Sequence, residues 1–188
     1  LISATIDKMT KRQLHLNTRK KSDGECVLYV MSRDQRVDDN HALLLAQQSA
    51  LESKQPLIVL FNLYKNYGVR SKEHYEFMIA GLKEIEKSLE KRKIGFMVTI
   101  DSSVDVIIKT INTLKASEVF FDFSPLRHAR STQKKVAQRV EVPCSVVDTH
   151  NIIPVWVTSD KEEYAAHTIR RKIHKNLQEW LVEPDKVT

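Results

Sequence analysis

A chain of 188 residues, 41% of them hydrophobic, is long enough for one ordinary domain with a real core, which excludes wholesale disorder. Four glycines and five prolines exclude collagen-like and low-complexity chains, and no apolar run reaches the roughly 20 residues that span a bilayer. Thirty basic against twenty-four acidic residues leave a net charge of +6, compatible with a nucleic-acid partner without requiring one.

Residues 1–24 are polar and irregular. Lys8, Lys11, Arg12, Arg19, Lys20 and Lys21 give them a positive charge, so they are expected to form a basic, flexible N-terminal arm. Cys26 to Met31 is then a continuous apolar run of strand length. The loop Ser32 to Asn40 follows, and a helix from Asn40 to Glu52 carries Ala42, Leu45, Ala46 and Ser49 on one face. Leu57 to Phe61 is the second strand. A longer helix starts near Ser71, with Phe77, Met78, Gly81, Leu82, Ile85 and Leu89 as its apolar stripe and Lys and Glu opposite.

Phe96 to Ile100 is the third strand. The next helix runs through Val104, Ile107, Ile108, Ile111 and Leu114, with Ser102 or Ser103 as N-cap. Val119 to Phe121 supplies the fourth strand, and Ser124 to Val140 a helix with Pro125 at its first position. Ser145 to Val147 is the fifth. Strands apolar at consecutive positions and alternating with helices predict an α/β fold, a Rossmann-like doubly wound parallel sheet of five strands. Asp148 to Val157 reads as an extended connection. A last amphipathic helix, Lys161 to Leu181, sets Ile169, Ile173, Leu177 and Trp180 against a cationic remainder.

The usual phosphate signatures are missing. No GxGxxG follows the first strand and no GxxxxGK[ST] occurs, so dinucleotide and P-loop binding lose their main support. No serine sits in a GxSxG elbow. Cys26 and Cys144 lie in separate apolar runs, as expected of reduced, buried thiols in a cytosolic protein. Asp148 and His150 lack a neighbouring third ligand, so no metal site is expected. Two arginines and three aspartates crowd the nine residues Ser32 to Asn40, a dense set for a loop at a strand's carboxyl end.

At that loop a resemblance emerges. Val30-Met31-Ser32-Arg33-Asp34-Gln35-Arg36-Val37-Asp38-Asp39-Asn40, followed by Ala42-Leu43-Leu44, resembles the opening of the class II cyclobutane pyrimidine dimer photolyases. Three further blocks agree in order and spacing. They are Phe121 to His128, Val147 to Trp156, and Ser159 to Ile173, so the similarity covers about Cys26 to Leu181. His41 departs from the pattern, standing where class II members more usually carry tryptophan.

The resemblance implies the N-terminal α/β domain of a DNA-repair lyase. It divides the chain into the arm (1–24), a photolyase-type α/β domain (25–158), and a linker with amphipathic helix (159–188) leading to a C-terminal helical domain absent from this sequence. That helical domain would hold FAD, bind damaged DNA and split the dimer by light-driven electron transfer. The 188 residues alone are therefore expected to be inactive, a monomer without membrane contact, cytoplasmic or, in a eukaryote, nuclear. The family's α/β domain can hold an antenna chromophore, a deazaflavin or a folate. Its expected contacts here are Ser32, Arg33, Asp34, Arg36, Asn62, Asp122, Phe123 and Leu126, all at strand carboxyl ends.

The same residues carry other readings. Asp34, Arg36 and Asn40 suit a cap-and-turn network as well as a ligand, and Phe61, Phe123 and Leu126 suit the core. A nucleotide-binding or interaction module of the same fold stays open, as does direct DNA binding through the arm and Arg170-Arg171-Lys172.

Overall fold

The computed structural model describes residues 8–21, 23–64, 71–101, 103–183 and 185–188. Its strands are β1 (Gln13–His15), β2 (Cys26–Met31), β3 (Leu57–Asn62), β4 (Gly95–Thr99), β5 (Ala116–Asp122) and β6 (Cys144–Val147). Its helices are α1 (His41–Ser53), α2 (Lys72–Glu90), α3 (Val104–Thr113), α4 (Arg127–Arg139), the single turn α5 (Val155–Thr158) and α6 (Ala166–Trp180). Another helical turn covers 8–11.

The sheet order is β1-β6-β5-β2-β3-β4. All neighbours are parallel except β1, which runs antiparallel to β6 with Gln13 opposite Val147. The five expected parallel strands are thus present in a doubly wound order, and the predicted count is corrected to six. The extra strand comes from the segment expected to be an arm. Nothing in Gln13-Leu14-His15 reads as a strand alone, because β6, 130 residues later, supplies its ladder.

Alternation along β2 sorts its side chains into two cores. Val27, Tyr29 and Met31 face α1 and α2, packing with Leu43, Leu45, Leu82, Ile85 and Leu89. Leu28 and Val30 face α3 and α4, packing with Ile107, Ile111, Val136 and Ala137. Edge strand β4 is only partly covered, and Val98 stays exposed. The α2 stripe also begins later than expected, for Phe77 is 85% exposed whereas Leu82, Ile85 and Leu89 are buried.

Two expected caps are observed. Asn40 Oδ1 accepts from Leu43 N (2.9 Å), and Ser103 Oγ accepts from Val106 N (3.3 Å). Ser102 lies outside the described residues. The start of α4 is corrected: the helix begins at Arg127, and Ser124 with Pro125 forms the preceding turn, where Leu126 N donates to Ser124 Oγ. The last helix begins at Ala166 rather than Lys161, and the connection before it contains α5.

The N-terminal segment fastens α6 to the sheet. Arg12 is 5% exposed, and its guanidinium donates to the carbonyls of Asp148, Asn151 and Ile152 at 2.6–3.0 Å. Its carbon lies 5.1 Å from the ring centre of Trp180. Burial lowers the Arg12 pKa to about 10, opposed by the Asp148 carboxylate. Lys8 Nζ donates to Glu179 O, and Trp156 Nε1 to Lys11 O. Arg19 pairs with Glu141, and Lys21 with Glu118.

Cys26 and Cys144 are free and buried, on β2 and β6 with β5 between. Burial pushes the Cys144 thiol up to about 12 and raises that of Cys26, so neither supplies a thiolate at neutral pH. No helix among the described residues is long and apolar enough to cross a membrane.

Candidate functional site

The connection leaving β2 runs to β3 on one side and the connection leaving β5 runs to β6 on the other, so the crevice of this sheet opens at the carboxyl ends of β2 and β5. In nucleotide-binding folds, turn N–H groups at such a point receive a phosphate. Here they receive a carboxylate of the chain itself. Asp122, fully buried at the end of β5, accepts on Oδ2 from the N–H groups of Ser32 (2.8 Å), Arg33 (2.9 Å) and Asp34 (3.0 Å). Its Oδ1 accepts from the Tyr29 hydroxyl. Burial and the nearby Asp34 carboxylate raise the Asp122 pKa, while these donors act against the rise. Burial beside Asp122 holds the Tyr29 hydroxyl well above its ordinary value.

Asn40 completes the network. Besides capping α1, its Nδ2 donates to Tyr29 Oη (3.0 Å), Asp34 O (3.1 Å) and Arg36 O (3.0 Å). Asp34 Oδ1 accepts from Arg36 Nη1 (2.8 Å) and lies 3.3 Å from His150 Nδ1. Arg36 also donates to the carbonyls of Asp39 and Thr149. Asp34 and Arg36 are therefore bonded to each other and to the surrounding backbone, the arrangement expected of a cap-and-turn network, while Asp38 pairs with Arg92 outside the loop.

Beside the network lies a cleft of about 400 Å³. Ser32 and Arg33 come from the β2 end, and Phe61, Asn62 and Tyr64 from the β3 end. Tyr75 and Met78 come from α2, and Ser124 to Leu126 with His128 from the α4 approach. The walls are mostly apolar and aromatic, with a few polar groups converging, as in small-molecule sites. Tyr75 Oη donates to Tyr64 O (3.1 Å), tying α2 to the end of β3. The Thr99 hydroxyl donates to Asn62 Oδ1 (2.7 Å), which leaves the Asn62 amide N–H groups unpaired among the described residues.

Of the eight residues expected at the site, Ser32, Arg33, Asn62 and Leu126 line this cleft. Asp34, Arg36, Asp122 and Phe123 do not. The first three belong to the loop network, and Phe123 packs edge-on against Trp156 with ring centres 5.4 Å apart. Tyr64, Tyr75 and Met78 were not anticipated. Tyr75 and Met78 sit on the first turns of α2, and only the β3–α2 connection brings them to the carboxyl edge. An aromatic at position 75, two turns before the buried stripe, was the available signal.

His41, at the start of α1, has a buried Nδ1 without a partner among the described residues. Burial lowers its pKa to about 3, assisted by the Arg12 and Arg36 charges. The imidazole is neutral at physiological pH.

Comparison with known proteins gives a consistent result. The sequence profile of the DNA photolyase family matches residues 27–187. A deoxyribodipyrimidine photo-lyase of Potorous tridactylus is 40% identical over 180 residues, which is 95% of this chain and 34% of that protein. One from Arabidopsis thaliana is 35% identical over 86% of this chain and 33% of its own length. The chain thus spans about a third of the length of these relatives. Among solved structures, a universal stress protein from Archaeoglobus fulgidus aligns with 66% of this chain and 44% of its own at 17% identity and a TM-score of 0.46.

Proposed function

Since the chain belongs to the DNA photolyase family, we propose that it is the α/β antenna domain of a class II cyclobutane pyrimidine dimer photolyase. The observation that carries this reading is the aromatic cleft at the carboxyl edge, rimmed by the exposed Arg33. In this reading the deazaflavin or folate bound there would absorb light and pass excitation energy to a flavin held elsewhere in the photolyase. In this reading FAD, the dimer cavity and recognition of the lesion would lie in a region beyond the third of the relatives that this chain spans.

The residues suit such a ligand. Phe61, Tyr64 and Tyr75 offer flat faces to a heteroaromatic ring. Arg33 offers a guanidinium to an acidic substituent, and the Asn62 amide donors are unpaired within reach of the cleft. Asp34, Arg36 and Asp122 would act behind the cleft, holding the backbone of Ser32 and Arg33 in place. The rival reading, a nucleotide-binding module, is weakened because Asp122 fills the N–H nest that a phosphate would need.

Titrating the purified chain with a deazaflavin and, separately, with a folate tests the proposal. A shift of the visible or near-ultraviolet band with one of them, saturating at one equivalent, is expected. No spectral change at saturating concentration of either sinks the antenna reading, and thermal stabilisation by AMP or ATP instead favours the nucleotide module.

A further inference from the structure

The net charge of the chain is not spread evenly. Helices α1 and α2, on one face of the sheet, carry Lys72, Lys83 and Lys87 against six glutamates. Helices α3 and α4, on the other, carry six cations against Asp105 alone. Five of the six are on α4, which has no acidic residue. Arg139 is neutralised by Asp105 at 2.8 Å. Arg127, Arg130, Lys134 and Lys135 are exposed and have no acidic partner among the described residues.

These four occupy one side of the helix. Arg127, Arg130 and Lys134 are spaced i, i+3 and i+7, and Lys135 lies beside them, while Gln133, Val136 and Ala137 turn into the core. From Arg127 to Lys134 the stripe runs roughly 10 Å along the axis. The basic groups expected in the N-terminal arm behave differently, since Arg12 is buried and Arg19 and Lys21 are ion-paired. A line of unpaired cations without acids repels itself, and a polyanion laid along it relieves that repulsion.

We propose that the solvent face of α4 is a docking surface for the sugar-phosphate backbone of duplex DNA. The face holds no phenylalanine, tyrosine or tryptophan on which unstacked bases can lie, His128 being its one ring, which argues against single strands. It also lacks the apolar or aromatic anchors that protein partners use at an interface centre. What it offers is regularly spaced, rigidly mounted positive charge, suited to duplex phosphates that recur every 3.4 Å or so per strand. Such contacts position a protein on DNA without reading sequence or lesion. The surface adjoins the chromophore cleft only at the first turn of α4, where His128 and Ala129 line the cleft, and its test reads DNA affinity alone, so it stands or falls separately from the antenna reading.

The test uses the full 188-residue chain and a fluorescent, undamaged 20-base-pair duplex, with affinity measured by anisotropy from 50 to 200 mM salt. Four phosphate contacts predict a log–log slope of about −3.6, or roughly 150-fold weaker binding across that range. R127Q/R130Q/K134Q/K135Q is expected to bring the slope close to zero and to weaken binding at least tenfold or so at 50 mM. K134Q/K135Q alone should remove about half the slope, which guards against misfolding of the quadruple variant. R170Q/R171Q/K175Q on α6 removes three exposed cations that likewise lack an acidic partner among the described residues, and should cost clearly less in affinity and slope than the α4 variant. Parental affinity and slope in the α4 variants would overturn the proposal. So would an equal loss in the α6 variant, which would show a net-charge effect. Binding of a polyglutamate peptide to the α4 face as tightly as the duplex would also overturn it, assigning the face to an acidic protein.

Discussion

The hydroxyl of Tyr29 donates a hydrogen bond to the carboxylate of Asp122, 93 residues further along the chain and on the neighbouring strand. Through it the start of α1, the loop 32–36 and the end of β5 form one polar unit inside an apolar setting. Asp122→Asn would keep the shape but set an N–H₂ against donors that need an acceptor. A loss of about 2–4 kcal/mol is expected, against about 1–2 kcal/mol for Tyr29→Phe. Urea unfolding at constant m-value measures both. An Asp122→Asn midpoint equal to the parent's would show that the network is dispensable.

Arg33 and Arg36 separate ligand from scaffold. Arg33→Ala should weaken chromophore binding roughly tenfold or more, since a charge-assisted bond is worth about 1.5–3 kcal/mol, and leave the thermal midpoint unchanged. Arg36→Ala should lower the midpoint, because it strips Asp34 of its guanidinium and frees the Thr149 carbonyl. Paired titration and melting curves decide, and the reverse pattern would move the site into the loop network.

His41 ties stability to acidity. Its folded pKa, about 3, lies below the 6.5 of the free side chain, so the fold favours the neutral ring. That contribution is complete above pH 6.5 and is lost as pH falls from 6.5 toward 3. Each unit within this window removes up to about 1.4 kcal/mol, hence roughly 2–3 kcal/mol by pH 4.5. His41→Phe should flatten the difference. Urea midpoints of both proteins at pH 7.5, 6 and 4.5 test it, and parallel pH profiles would contradict it.

Two glycines should respond in opposite senses to alanine. At Gly24 a Cβ would lie 2.5 Å from Lys115 O and 2.6 Å from Ser117 N, both backbone atoms. Gly24→Ala must therefore move β5 away from the entry to β2, at an expected cost of about 2 kcal/mol or more. At Gly81, inside α2, nothing lies within 4 Å of the added carbon. Gly81→Ala should stabilise by about 0.5–1 kcal/mol. Thermal melts of both variants provide the check.

The five parallel strands were legible as unbroken apolar runs such as Leu57 to Phe61, the pattern of a sheet covered on both faces, which only the partly covered edge strand β4 departs from in the fold. The caps Asn40 and Ser103 were legible for an equally local reason. What escaped depended on distant chain. The Ser124-Pro125 pair resembles a helix start, yet the Ser124 hydroxyl closes a turn with Leu126 N and the helix begins one step later. Asp122 looks like a ligand contact from its place at a strand end. Only the folded loop reveals that three N–H groups converge on it. Half of the expected cleft was visible for the same reason: Ser32, Arg33, Asn62 and Leu126 follow from strand ends, whereas Tyr75 arrives with a helix.

The pairing of Gln13 with Val147 also sets an order of events during synthesis. Of the six strands described, β1 leaves the ribosome first and pairs last, since 134 residues separate Gln13 from Val147. At 5–20 residues per second that is a wait on the order of ten seconds. Through that interval Arg12, later enclosed, stays hydrated, and α6 has no anchor until Trp180 emerges. The parallel core can assemble first, with β1 then closing over the β6 edge as a clasp. A ribosome stalled before residue 144 would therefore leave β5 as the unguarded edge of the sheet, open to a strand from another nascent chain.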